Sequence, residues 1–275
     1  MRLARAGSLL TIGFGIALTG FMVACERLQA TTPTATPVED IPEEVTPSPD
    51  PPITPVAPAT SELFSGSGPW AVTFVTTDGL TLHGTLYGQG AVGVVLASMY
   101  IGDQTEWLPF AEEVAAQGFR VLTFDYRGYN LSAGERNPVS APTDIAAAIA
   151  FLRAYQFEPV ILIGAGIGGT AAIKAAAQDG EVAGLAVISA PRSFQGLEVS
   201  DADLAALSMP TLWLGARNDM TQTVEEMQAL TPTGDSTLWI YEGSSLPGTF
   251  IFDGADGPDL QRRLLEFVAH AAELS

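Results

Sequence analysis

The residues Val160-Ile161-Leu162-Ile163-Gly164-Ala165-Gly166-Ile167-Gly168-Gly169 decide how this chain is read. Four consecutive apolar residues spell a strand buried on both faces, and the glycines then turn the chain into an Ala-rich stretch, 167–178, that predicts a helix. The spacing of Gly164, Gly166 and Gly169 fits the dinucleotide fingerprint, where glycines allow a tight turn and let a pyrophosphate approach a helix N-terminus. That fingerprint also calls for an acidic residue at the end of the following strand, to hold a ribose. Here that strand ends Val187-Ile188-Ser189, and Asp179 and Glu181 come before it. The turn also follows four predicted strands, whereas a dinucleotide domain usually begins with it. A dinucleotide site at Gly164, Gly166 and Gly169 is therefore a lesser alternative, and no cofactor is expected.

Working outward, the same strand-then-helix pattern repeats. Alternation over 71–76 and 80–87 around Asp78-Gly79 predicts an antiparallel hairpin. Continuous apolar runs at 92–97, 121–124, 160–163, 185–188 and 212–214 predict buried parallel strands, with a last strand at 237–241. Amphipathic stretches at 106–117, 142–155, 167–178, 201–207, 224–230 and 259–274 predict helices between and after them. This order gives an α/β fold, a mostly parallel sheet of about eight strands with helices on both faces. Such sheets carry ligands at the carboxyl ends of their strands.

Composition limits the chemistry. With 12 Lys and Arg against 31 Asp and Glu, a net charge of −19 and Lys174 as the single lysine, the 275 residues lack the basic cluster that nucleic acid requires. One cysteine excludes a disulfide framework and a Cys-rich zinc site. The two histidines, His83 and His270, stand apart and the acids are scattered, so no metal-ligand constellation is expected.

Five segments together resemble the α/β-hydrolase family over about residues 70–272. ASMYIGDQTEW (97–107) is similar to the loop that supplies oxyanion donors, and TFDYRGYNLSAG (123–134) to the Asp-x-Arg-Gly-x-x-x-Ser-x-Gly segment. Ser189-Ala190-Pro191 ends the strand after the glycine turn, and LGARND (214–219) resembles the strand end that bears the triad acid. The turn itself, Gly-Ala-Gly-Ile-Gly at 164–168, stands where the family carries Gly-x-Ser-x-Gly. The resemblance implies an α/β-hydrolase fold, and the short connection 189–210 leaves no room for a sizeable cap domain. It puts the nucleophile position on Gly166, the acid on Asp219, and the histidine slot on Leu246 or Pro247, neither of which titrates. Glycine at 166 would relieve the strain of about 1 to 3 kcal/mol that such a turn imposes on a side chain.

The function that follows is a catalytically inactive binding or interaction domain. Backbone N–H groups near Ile167, Met99 and Tyr100 would form an anion cradle for a small carboxylate or ester, with Tyr100, Trp107, Phe194 and Leu246 as walls. Side chains such as Leu246 filling that space instead is an equal expectation. The alternative is an active ester or acyl hydrolase with a non-standard nucleophile and base. Ser98, Ser132 and Ser189 are its hydroxyl candidates, and His83 and His270 read as structural or surface residues. Asp219 equally reads as a cap on the segment that follows it.

The N-terminus carries an address. Arg2 and Arg5 precede an uncharged run at 6–24, and Ala24 stands directly before Cys25, a pattern that resembles a bacterial lipoprotein signal. The expected organisation is a signal peptide at 1–24, then a lipidated Cys25 and an acidic Pro/Thr-rich linker at 25–62, then an α/β-hydrolase-like domain at 63–275. Residues 31–60 hold nine of the 19 prolines and no aromatic residue. They make a semi-rigid spacer reaching about 90 Å at about 3.1 Å per residue. The expected location is extracytoplasmic, with Cys25 in the membrane; an uncleaved membrane-spanning anchor and plain secretion are the alternatives. The expected partners are the membrane and either a small ligand or a protein.

Overall fold

The strand Val160–Ala165 (β5) lies inside an eight-stranded sheet of order β1-β2-β4-β3-β5-β6-β9-β10. Its other members are β1 (Trp70–Val75), β2 (Thr81–Tyr87), β3 (Gly93–Ala97), β4 (Arg120–Phe124), β6 (Gly184–Ile188), β9 (Thr211–Ala216) and β10 (Ser236–Tyr241). The computed structural model describes residues 63–64, 68–100, 102–219, 223–232 and 234–275. The predicted signal, Cys25 and almost all of the linker lie outside the described residues. Among the described residues no helix is long and apolar enough to cross a membrane.

Within this sheet the pairing of β1 with β2 and of β2 with β4 is antiparallel, and every other pairing is parallel, as the hairpin followed by βα units requires. Every residue of β3, β4, β5, β6 and β9 is buried, because helices cover both faces of the sheet. On one face Val95, Leu122, Leu162, Leu185 and Trp213 pack with Ile145, Ile149 and Ile173 of α2 (Ala141–Ala154) and α3 (Ile167–Asp179). On the other, Leu96, Ile161, Ile163 and Leu214 pack with Phe110 and Val114 of α1 (Leu108–Ala116) and Leu260 and Leu264 of α6 (Gly257–Glu273). Each such side chain contributes about 1.5 to 3 kcal/mol by leaving water.

Differences from the sequence reading are local. The helix predicted at 106–117 opens as a 3₁₀ turn, Gln104–Trp107, before α1. Pro109 stands in the first turn of α1, where its missing N–H costs nothing, and Asp103 caps the 3₁₀ turn by accepting from the Thr105 N–H at 2.8 Å. Between β6 and the short helices α4 (Asp201–Ala205) and α5 (Val224–Ala229), a small ribbon of β7 (Ser193–Phe194) and β8 (Leu197–Glu198) escaped prediction, since two residues carry no period. No cap domain occupies this connection.

The 123–134 segment is a bracket. The buried Arg127 donates through Nε (2.9 Å) and Nη2 (2.7 Å) to Asp144 of α2, and through Nη1 (2.7 Å) to Asp78 in the hairpin turn. That guanidinium, with the Thr76 hydroxyl, holds the Asp78 carboxyl down at about 2. Asp125 accepts from Gln104 N (3.0 Å) and Nε2 (2.9 Å). Ser132 donates to Asp125 O (2.7 Å) and accepts from the backbone N–H of His83 (2.9 Å). These bonds fix the Gln104–Trp107 turn against β4.

Candidate functional site

At the end of β5 the chain reverses through Gly166, with φ +53° and ψ −127°, and enters α3. Its N–H donates to Ile188 O (2.8 Å) and its carbonyl accepts from Gly169 N (3.0 Å) and Thr170 N (3.2 Å). Such a φ/ψ pair is nearly closed to residues with a Cβ. The space beside it is nevertheless open to one. A Cβ built at Gly166 would meet Met99 Cγ, Cβ and Cα at 3.4 to 3.6 Å, ordinary contact distances.

The neighbouring glycines serve a different need. A Cβ at Gly168 would lie 2.1 Å from Ser98 O and 2.7 Å from Ala97 O, and one at Gly164 would lie 2.7 Å from Gly168 O. One at Gly169 would meet Ala190 Cβ at 2.9 Å. The glycine run thus lets the end of β3 and the start of α3 pack backbone to backbone.

Met99 covers the turn. Its side chain is buried, and its sulfur accepts the Thr249 hydroxyl at 3.0 Å. A Cβ at Gly248 (φ +56°) would sit 2.7 Å from that sulfur, so the thioether fits only because residue 248 is glycine. The Met99 N–H, expected to point into an anion cradle, donates instead to Glu106 Oε1 at 2.6 Å. Tyr100 has φ +73°, and its carbonyl accepts the Tyr129 hydroxyl. Of the three expected donors, Ile167 opens α3, where the helix itself makes no use of its N–H.

Leu246 does not fill the space above Gly166. It lies in the loop after β10, 37% exposed, with its N–H on Ser244 Oγ (3.2 Å) and its Cδ1 against Gly254. Pro247 stands at the N-cap of a 3₁₀ turn, Gly248–Asp253. Asp219 is 5% exposed at the end of β9, where its N–H donates to Ala216 O (3.2 Å) and its Oδ2 accepts from Ala216 N (3.4 Å). The His270 ring pairs with Asp235 at 2.7 Å, and His83 lies in β2 opposite Thr73. Ser98 Oγ and Ser189 Oγ are buried without a hydrogen-bond partner, so no base shares either proton. Ser132 spends its proton in the bracket described above. Trp107 is fully buried and Phe194 sits on β7, both as packing. Among the described residues, no group of three or more His, Cys, Asp or Glu is arranged to hold a metal ion.

Beside Met99 the structure holds a cavity that the sequence did not announce. It measures about 480 Å³ and is lined by residues of the Gln104–Trp107 turn, α1, the Gly248–Asp253 turn and α6, among them Glu106, Phe110, Thr249, Phe250, Phe252 and Asp253. Burial raises the Glu106 carboxyl to about 7, against the opposing bond from Met99 N–H. Nothing in the sequence marks Glu106 apart from the other 30 acidic residues, because its significance comes from what folds around it.

A family model described as the alpha/beta hydrolase family matches residues 80–273. No curated protein matches the sequence. Among solved structures, an esterase of Pyrococcus furiosus is similar at TM-score 0.63 and 16% identity, covering 74% of this chain and 93% of its own. A monoacylglycerol lipase of Paleococcus ferrophilus gives TM-score 0.60 and 15% identity, over 69% of this chain and 99% of its own. An esterase from Rhodococcus gives 0.59 and 17%, over 72% and 98%. At these identities the likeness is one of fold.

Proposed function

Because the chain belongs to the α/β-hydrolase family, we propose that it is a catalytically inactive member, a binding or interaction domain held outside the cytoplasm on a membrane through a lipidated Cys25. The observation that carries the inactivity is the turn at Gly166. It keeps the sharp strand-to-helix geometry with φ +53°, yet presents no side chain, and Met99 Cγ, Cβ and Cα stand 3.4 to 3.6 Å from where a Cβ would be. The unpartnered hydroxyls of Ser98 and Ser189 and the absence of a titratable group at Leu246 and Pro247 support the same reading. The Met99 N–H, an expected donor to a carboxylate or ester above the turn, is already engaged by Glu106. The tether rests on Arg2, Arg5, the uncharged run 6–24 and the Ala24-Cys25 junction.

The full-length chain incubated with a fluorophosphonate probe is expected to remain unlabelled, and short p-nitrophenyl esters to hydrolyse at the buffer rate. A covalent adduct on any serine overturns the inactive reading. For the tether, Cys25→Ala is expected to abolish lipid attachment, read by mass spectrometry of the expressed protein; an unchanged mass increment at the N-terminus refutes it.

A further inference from the structure

We infer that the cavity between the Gln104–Trp107 turn, α1 and the Gly248–Asp253 turn is a binding site for a small organic cation, an amine or quaternary ammonium carried on an aromatic or apolar body. The site lies to one side of the Gly166 turn and stands whether or not that turn is inert. Its volume, about 480 Å³, suits a small ligand.

Its walls set the chemistry. Phe110 and Phe252 lie with ring centroids 5.4 Å apart at 31°, and Trp107 packs edge-on against Phe252 at 6.0 Å. Phe250, 46% exposed, supplies a third phenyl group to the lining. Two carboxylates join these rings, Glu106 and Asp253. None of the ion pairs among the described residues involves either of them, although the arginines of α6 nearby pair with Asp259 and Glu266. Apolar rings alone would take any greasy molecule. Rings beside two uncompensated carboxylates favour a cation, because ring faces and carboxylates both attract positive charge and both repel an anion. The protein's excess of 19 negative charges raises the local cation concentration further.

Glu106 is placed to make the ionic contact. One of its oxygens holds the Met99 N–H, and a Cβ at Gly102 would lie 2.6 Å from the other, so the glycine keeps that side of the carboxylate uncrowded. Other charged or titratable groups bearing on Glu106 are Asp103 on its own turn and Tyr126 beyond β4, with Asp253 across the cavity. Each of the three is neutral or negative, so none competes with a bound cation. With a carboxyl that ionises near 7, occupancy at fixed subsaturating ligand should rise about tenfold from pH 6 to pH 8.

Isothermal titration of the full-length chain with phenethylammonium, 2-phenylethanol and phenylacetate tests the inference, since the three share one aromatic body and differ in charge. Phenethylammonium is expected to bind one site at least about tenfold more tightly than the alcohol, with phenylacetate weaker still. Glu106→Gln, whose amide oxygen can still accept from Met99 N–H, should lower the cation's affinity about tenfold and remove its rise between pH 6 and 8. The exposed Asp253→Asn gives a second reading that does not disturb the core, with a smaller loss expected. Equal affinity for cation and alcohol overturns the inference, as does tighter binding of phenylacetate, or no binding to a chain shown folded by circular dichroism. Unchanged cation affinity in both variants overturns it as well.

Discussion

Replacing Gly166 with alanine isolates the strain that the turn would impose on a nucleophile. At φ +53° and ψ −127° an L-residue costs about 1 to 3 kcal/mol. The unfolded chain, stiffened by the new Cβ, returns about 0.4 to 1 kcal/mol of that. Sterics add little, because the Cβ would rest at 3.4 to 3.6 Å from Met99. The net loss lies between about 0 and 2.6 kcal/mol with a midpoint of about 1.3 kcal/mol, which for a folded region of this size lowers Tm by about 3 to 5 °C. Gly168→Ala is the contrast: its backbone φ is unremarkable, but its Cβ would lie 2.1 Å from Ser98 O, so part of the fold must move. Urea titration of the two full-length variants, followed by circular dichroism, orders them with Gly168→Ala the more damaging. A Gly166→Ala protein more stable than the parent, or less stable than Gly168→Ala, refutes the account of strain at 166 and clash at 168.

Three further outcomes are expected. Glu106 is an acid whose folded pKa lies above its ordinary value, so its protonated form favours folding. That contribution is complete below pH 4.5 and is lost as pH rises through about 7, and Glu106→Gln should flatten the decline across that window in pH-resolved urea melts. Arg127→Met leaves Asp144 buried without its cation and should cost about 3 to 5 kcal/mol, with part of the loss recovered by adding Asp144→Leu, as read by a double-mutant cycle. Met99→Ala empties the space between Gly166 and Gly248 and should cost about 2 to 5 kcal/mol in the same measurement; a loss under 1 kcal/mol would mean the neighbouring loops collapse onto the turn.

Much of the fold was legible in the chain because burial on two faces writes itself as unbroken apolar runs. Val160 to Ile163 and its counterparts predicted the strands of the parallel sheet to within two residues, and Asp78-Gly79 marked the hairpin. The resemblance placed the sharp turn on Gly166 for the same reason: a positive φ at a strand-to-helix junction is met locally, by residue type. The 3₁₀ turns and the two-residue strands of the β7-β8 ribbon were not legible, since they are too short to carry a period.

What the sequence determined by itself was the sheet, its helices on both faces, the glycine at the turn and the scarcity of imidazole, all properties of near neighbours along the chain. Tertiary structure alone decided what stands above that turn. Met99 meets Thr249 across 150 residues, Gly248 leaves room for the sulfur, and Glu106 takes the Met99 N–H. The filling of a space depends on which loops converge on it and on the rotamers their packing permits, and neither is written in any local period.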